Sequence, residues 1–233
     1  MRKPAILAAA AAAALAVGVA PAGATNECDG LRVCVPVAGP WVVVPTDVRV
    51  ARQRVEFQLS CPRGHVVGGL DAELSHRAID VGFLATLGSP VNPGITTSRA
   101  VVFTASFVGR SPRTSTFRPH IGCIPGSGGG GRIPTALSVV APGRPTVRRV
   151  RTVRVRPGTQ TIARGCARRE RLVGAAHAFG FHTRTPPSAS LVRTVRGSQA
   201  VRGGRVVVTV RADAELEGVR AVVQVQAICT RAA

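Results

Sequence analysis

The side chains able to do chemistry in this 233-residue chain are six cysteines, five histidines, eleven acids and a large excess of arginine. No nucleophile motif organises them. There is no Gly-x-Ser-x-Gly elbow and no Ser-x-x-Lys, and neither a His-Glu-x-x-His zinc signature nor a phosphate-binding loop occurs. Of the histidines His65, His76, His120, His177 and His182, only His76 has acids close in sequence, Glu73 and Asp80. On a single strand His76 and Asp80 would share a face, as an acid–base pair needs. The competing reading is a polar loop between strands. His177 and His182 have opposite parity, so one regular strand points them to opposite faces. A hydrolase with paired carboxylates has enough acids, but nothing positions them, and no enzyme is expected. The cysteines form no Cys-x-x-Cys pair and the histidines do not sit at ligand spacing near them, which argues against zinc. No cofactor is expected. Aromatic residues make up 3% of the chain with no tyrosine, which argues against stacking platforms for single-stranded nucleic acid or sugar rings.

Charge is the concentrated feature. The formal net charge is +20, and residues 144–171 hold ten arginines against one acid, Glu170. Lys3 is the only lysine. Every other basic side chain is a guanidinium, which stays charged at any pH and grips phosphate or carboxylate with two hydrogen bonds. Within this stretch Arg148, Arg149, Arg151, Arg154, Arg156, Arg168, Arg169 and Arg171 are the candidate polyanion-binding residues. In 150–156, Arg151 alternates in phase with Val153 and Val155, while Arg154 and Arg156 lie on the other face with Val150. That pattern suits a strand with a cationic outer face, or a sheet edge protected by charge.

The cysteines lie at Cys28, Cys34, Cys61, Cys123, Cys166 and Cys229. An even number reads as disulfides if the chain is exported. Cys61 to Cys123 spans 62 positions and Cys166 to Cys229 spans 63. The flanks also match. Cys61-Pro-Arg-Gly-His-Val-Val-Gly-Gly corresponds to Cys166-Ala-Arg-Arg-Glu-Arg-Leu-Val-Gly-Ala with one extra residue in the second copy. Ser98-Arg-Ala-Val-Val-Phe corresponds to Gly204-Arg-Val-Val-Val-Thr. This suggests a tandem duplication. It predicts Cys61–Cys123 and Cys166–Cys229 within the copies, and Cys28–Cys34 closing a small loop. The first copy, with Cys61-Pro62-Arg63-Gly64 followed by Gly68-Gly69, resembles the Cys-bracketed β modules of secreted proteins from high-GC Gram-positive bacteria. The second copy keeps Cys166, Gly174 and Cys229 but lacks the Pro and the Gly pair. No catalytic activity is known for that group, so the resemblance implies export and a β fold and little more.

The elements that must carry these residues read as strands. In 54–60, Val55, Phe57 and Leu59 alternate with Arg54, Glu56 and Gln58; near the end, Val223, Val225 and Ala227 alternate with Gln224, Gln226 and Ile228. That period is the mark of a β-strand. Short strands divided by Gly, Pro and Ser turns predict an all-β protein, two tandem disulfide-bracketed antiparallel sandwich-like modules. The segment Trp41–Val44 is expected to be a buried strand rather than a ligand platform.

Arg2 and Lys3, an apolar run from Ala5 to Ala20 and the small-residue site Ala22-Gly23-Ala24 read as a signal peptide over 1–24. The run is short for a membrane span of about 20 residues, and no later segment is long and apolar enough. The expected organisation is therefore a signal at 1–24, a preface at 25–45 with the small Cys loop, module one at 46–126, a Gly-rich linker at 127–135 and module two at 136–233. The function expected is an exported, non-enzymatic binding module whose arginine-rich patch docks on anionic cell-surface or extracellular polymers. Export argues against genomic DNA and against specific nucleic-acid recognition. The alternative is a structural or protein-interaction module of the cell envelope with a cell-surface protein as partner, and behind it a protease inhibitor or a hydrolase.

Overall fold

The computed structural model describes residues 25–46, 53–84, 99–110, 114–126 and 146–231. The expected signal at 1–24 and linker at 127–135 lie outside the described residues. The fold is all-β and antiparallel, as its alternating β-branched sequence requires. In chain order the strands are β1 (Val35–Ala38), β2 (Trp41–Val44), β3 (Arg54–Ser60), β4 (His65–Leu74), β5 (Ile79–Leu84), β6 (Ala100–Phe107) and β7 (Ser115–Pro125). There follow β8 (Thr146–Val155), β9 (Gly158–Gly165), β10 (Glu170–Phe181), β11 (Val195–Arg202), β12 (Arg205–Ala212) and β13 (Ala221–Arg231). A short helix, α1 (Ala189–Arg193), precedes β11, and a single 3₁₀ turn at Ala214–Leu216 precedes β13. Among the described residues no helix is long and apolar enough to cross a membrane.

One large sheet runs through both halves. Across it lie β4, β7, then β1 and β2 end to end along one side of β7, then β10, β13 and β8. Two three-stranded sheets pack on it: β3-β6-β5 and β11-β12-β9. Each covers a separate apolar core. The first is built from Val55, Phe57, Val101, Phe103, Phe117 and Ile121 among others, and the second from Val206, Val208, Val210, Val223, Val225 and Phe181 among others.

Strand β2 joins the halves. It pairs with β7 on one edge and β10 on the other. Val42 and Val44 belong to the first core, while Val43 packs against the second. A strand buried on both faces needs an unbroken apolar run, and Trp41-Val-Val-Val supplies it. Trp41 is 3% exposed, a core residue as expected. Segment 25–45 is thus woven into the large sheet.

The pairing order recurs. β4–β7 and β3–β6–β5 in the first half match β10–β13 and β9–β12–β11 in the second. A register shift falls between Val67 and Gly69 of β4 and between Leu172 and Gly174 of β10. Cys61–Cys123 and Cys166–Cys229 tie the same points of the two patterns, and Cys28–Cys34 closes the small loop. The extra residue that matched flanks placed between Cys166 and Gly174 is not needed, because both bulges lie at the same distance from the cysteine. Likewise Ala100, not Arg99, holds the register position of Arg205: Ala100 opposes Ser60, and Arg205 opposes Gly165.

The polar faces of β3 and β13 meet between the halves. Among the described residues β3 is an edge strand whose outer backbone groups have no neighbouring strand. Gln224 of β13 fills that place: its Oε1 accepts the Gln58 N–H at 2.6 Å and its Nε2 donates to the Gln58 carbonyl at 3.0 Å. Gln226 donates to the Glu56 carbonyl at 3.2 Å. Both glutamines are buried, at 2% and 0% exposure. A side-chain amide carries the same donor and acceptor as a peptide group, so it satisfies a strand edge that would otherwise be orphaned.

Candidate anion-binding face

The eight arginines singled out from sequence divide into two groups. Among the described residues β8 is the outermost strand of the large sheet on its side, hydrogen-bonded to β13. Near its start, Arg148 bonds both the Glu56 carboxylate and Gln226 Oε1, the latter at 3.0 Å. Arg149 grips Glu170 with two nitrogens, at 2.6 and 3.2 Å. That contact holds the Arg149 guanidinium further in its charged form, through the hydrogen bond first and the carboxylate charge second. These two arginines are committed to internal ion pairs, one across the seam between the halves. The other six, Arg151, Arg154, Arg156, Arg168, Arg169 and Arg171, are exposed. Among the described residues none of the six makes an ion pair. Arg151, Arg154 and Arg156 lie on or just beyond β8, while Arg168 and Arg169 form the β9–β10 turn and Arg171 follows it on β10.

Arg169 has φ 68°. Among the described residues it is the one non-glycine with positive φ, and the first half uses Gly64 (φ 79°) at the same point of the pattern. A side chain there costs about 1 kcal/mol relative to glycine.

Arg171 and two further arginines, Arg164 and Arg205, line an open cleft of about 910 Å³ at the mouth of the second sandwich. Its walls are the end of β9 (Arg164, Gly165), the start of β10 (Glu170, Arg171) and the β11–β12 hairpin (Gly203, Gly204, Arg205). Gly203 and Gly204 have φ 54° and 68°, the values a two-residue primed turn demands. Neither Arg164 nor Arg205 is among the eight arginines singled out from sequence. Arg205 lies far from the dense stretch and is brought in by the pairing of β12 with β9. Arg164 opposes Val206, a core residue, so its in-phase position marks it as facing between the sheets.

The acid–base candidates do not assemble into a reactive site. His76 lies in the β4–β5 turn, not on a strand with Asp80. Its Nε2 is 2.7 Å from Ser115 Oγ and its Nδ1 accepts the Ala78 N–H at 3.2 Å. Ser115 is 1% exposed, so no substrate reaches that hydroxyl. Glu73 instead meets His120, Oε1 to Nε2 at 3.1 Å, with Glu27 on the other ring nitrogen at 3.7 Å. Glu27 and His120 are both buried. The backbone of Glu27 lies against Gly69 and Gly122, where a Cβ would collide with its carbonyl. The group pins the N-terminal segment to β4 and β7. His177 Nδ1 lies 3.0 Å from Gln199 Oε1. Burial, with Arg220 and Arg118, lowers the His182 pKa below the usual imidazole value. One cluster of metal-type ligands occurs among the described residues, Cys166, Glu170 and Cys229, and its two sulfurs are joined in a disulfide. What remains there is a single carboxylate, too few ligands for a structural ion.

No family model matches the chain, and neither a curated protein nor a solved structure matches it.

Proposed function

We propose that the protein is an exported, non-enzymatic binding module that docks on anionic cell-surface or extracellular polymers through the exposed arginines of its second half. The observation that carries this reading is the division of labour among the guanidiniums. Arg148 and Arg149 meet the internal carboxylates Glu56 and Glu170, whereas Arg151, Arg154, Arg156, Arg168, Arg169 and Arg171 face solvent with no acid of the described residues paired to them. Like charges on exposed strand and turn positions repel one another, so the pairing of these six is left to an outside partner. Their field attracts polyanions over about one Debye length, roughly 8–10 Å at physiological salt. Arg169 adds a second argument, since the fold is better served by the glycine that the first half carries at that turn. Three disulfides suit an oxidising compartment outside the cytoplasm. We take the recurring strand order and bulges as the product of a duplication whose second copy acquired the charge.

Retention on heparin with a steep salt slope tests this reading. Replacing Arg151, Arg154, Arg168 and Arg169 by glutamine should lower the slope of log affinity against log salt by about 3–4. Elution of the wild type below about 0.2 M salt, or an unchanged slope in the variant, refutes it. A protein partner captured from the cell surface and insensitive to salt would favour the interaction-module alternative.

A further inference from the structure

The cleft at the mouth of the second sandwich contains a side chain that the fold alone does not account for. On β9, Ile162 opposes Val208 and Arg164 opposes Val206, so both project toward the core formed with the large sheet. The matching position on β3 of the first half is Leu59, which opposes Val101 and packs against the first core. The second half thus places a guanidinium where the first places an aliphatic chain. The Nε of Arg164 is buried with no hydrogen-bond partner. A buried donor on a charged group that lacks an acceptor costs about 1–3 kcal/mol or more. Arg171 and Arg205 flank the same cleft, and at the matching positions the first half carries Val66 and Ala100. All three changes run from apolar to cationic. The one acid in the cleft wall, Glu170, already accepts from Arg149 and from the Ala167 N–H at 2.8 Å. Gly203 and Gly204 leave the opposite rim without side chains, with nothing within 4 Å of where a Cβ would stand.

We infer that this cleft is a pocket for a phosphate or sulfate group, held by the guanidinium of Arg164 from the core side and by the exposed Arg171 and Arg205 at its rim. The inference rests on the reading of the second half as anion-binding and narrows it to one built site. A tetrahedral oxyanion offers several acceptor oxygens to planar forks that approach from different strands. A carboxylate offers two oxygens and leaves one fork unserved. The same group can be pendant on a polymer or free in solution.

Calorimetric titration of the full exported chain with inorganic phosphate tests the pocket. The wild type should bind below about 10 mM. Arg164→Leu, which installs the first half's side chain, should weaken binding about ten- to hundredfold while the melting midpoint stays level or rises. Arg205→Ala, a change at an exposed side chain, should weaken binding in the same direction and serves if Arg164→Leu fails to fold. Equal phosphate affinity in wild type and Arg205→Ala overturns the assignment. So does wild-type protein that ignores phosphate yet stays on heparin, a result that leaves the polymer reading intact. Phosphate binding without heparin retention does the reverse. Displacement from heparin by phosphate at constant ionic strength assigns the pendant group; retention under that wash assigns the free anion.

Discussion

Replacing Gln224 by alanine should separate the two halves energetically without touching either apolar core. Its amide makes four hydrogen bonds: two with the backbone of Gln58, one to Thr152 Oγ1 at 3.1 Å, and one from Gln226 Nε2 at 2.9 Å. Truncation leaves the Gln58 N–H and carbonyl facing a gap at the seam, and takes an acceptor from Gln226, which is fully buried. Each orphaned buried group costs about 1–3 kcal/mol. Gln58 is only half-buried, so water recovers part of the loss, and about 2–4 kcal/mol in total is expected. For a chain of this size that is about 5–15 °C in melting midpoint. Trp41 is the only tryptophan and sits buried on the strand shared by both halves, so urea unfolding followed by its fluorescence, disulfides intact, reads the loss directly. Gln224→Glu keeps the shape and one acceptor but turns the donor into a charged oxygen against the Gln58 carbonyl. It should cost at least as much at neutral pH, and the deficit should shrink in acid as protonation restores a donor. Gln199→Ala, an exposed control, should stay within about 0.5 kcal/mol. A loss below about 0.5 kcal/mol for Gln224→Ala would refute the claim that glutamine amides complete the β3 edge.

The remaining predictions concern single elements. Arg169→Gly should stabilise the fold by about 1 kcal/mol in chemical denaturation while lowering heparin affinity, because it relieves a positive φ and removes a surface charge; destabilisation would contradict the turn geometry. Removing Cys61–Cys123 as a double alanine variant should cost up to about 4 kcal/mol by the chain-entropy model, read from urea midpoints. His182 has a pKa depressed by burial and by Arg220 and Arg118. The unfolded chain therefore takes up its proton first, and stability should fall as pH drops through about 6.5. His182→Gln should flatten that part of the wild-type pH–stability curve, and an unchanged curve would rule out the contribution.

The cysteine spacing, the period-2 strands and the dense arginine stretch are local patterns, so the sequence alone determined the β class, the disulfide pairing and the charge of the second half. Which arginines remain available was a tertiary decision. Arg148 and Arg149 look like their neighbours in sequence, yet Glu56, from the other half, and Glu170 claim them. Arg205 joins the cleft only because β12 returns beside β9. The pairing of His76 with Ser115, rather than with Asp80, likewise depends on a turn that strand periodicity does not locate. The alternation of Gln224 and Gln226 with valines showed which residues share a face, but not what that face meets. Its neighbour is another half's strand edge in place of solvent, because β2, short and apolar on both sides, fuses the two sheets into one and brings β3 over β13. Periodicity reports the orientation of a side chain within its own strand; the charge, amide or backbone it meets is set by contacts between residues far apart in the chain.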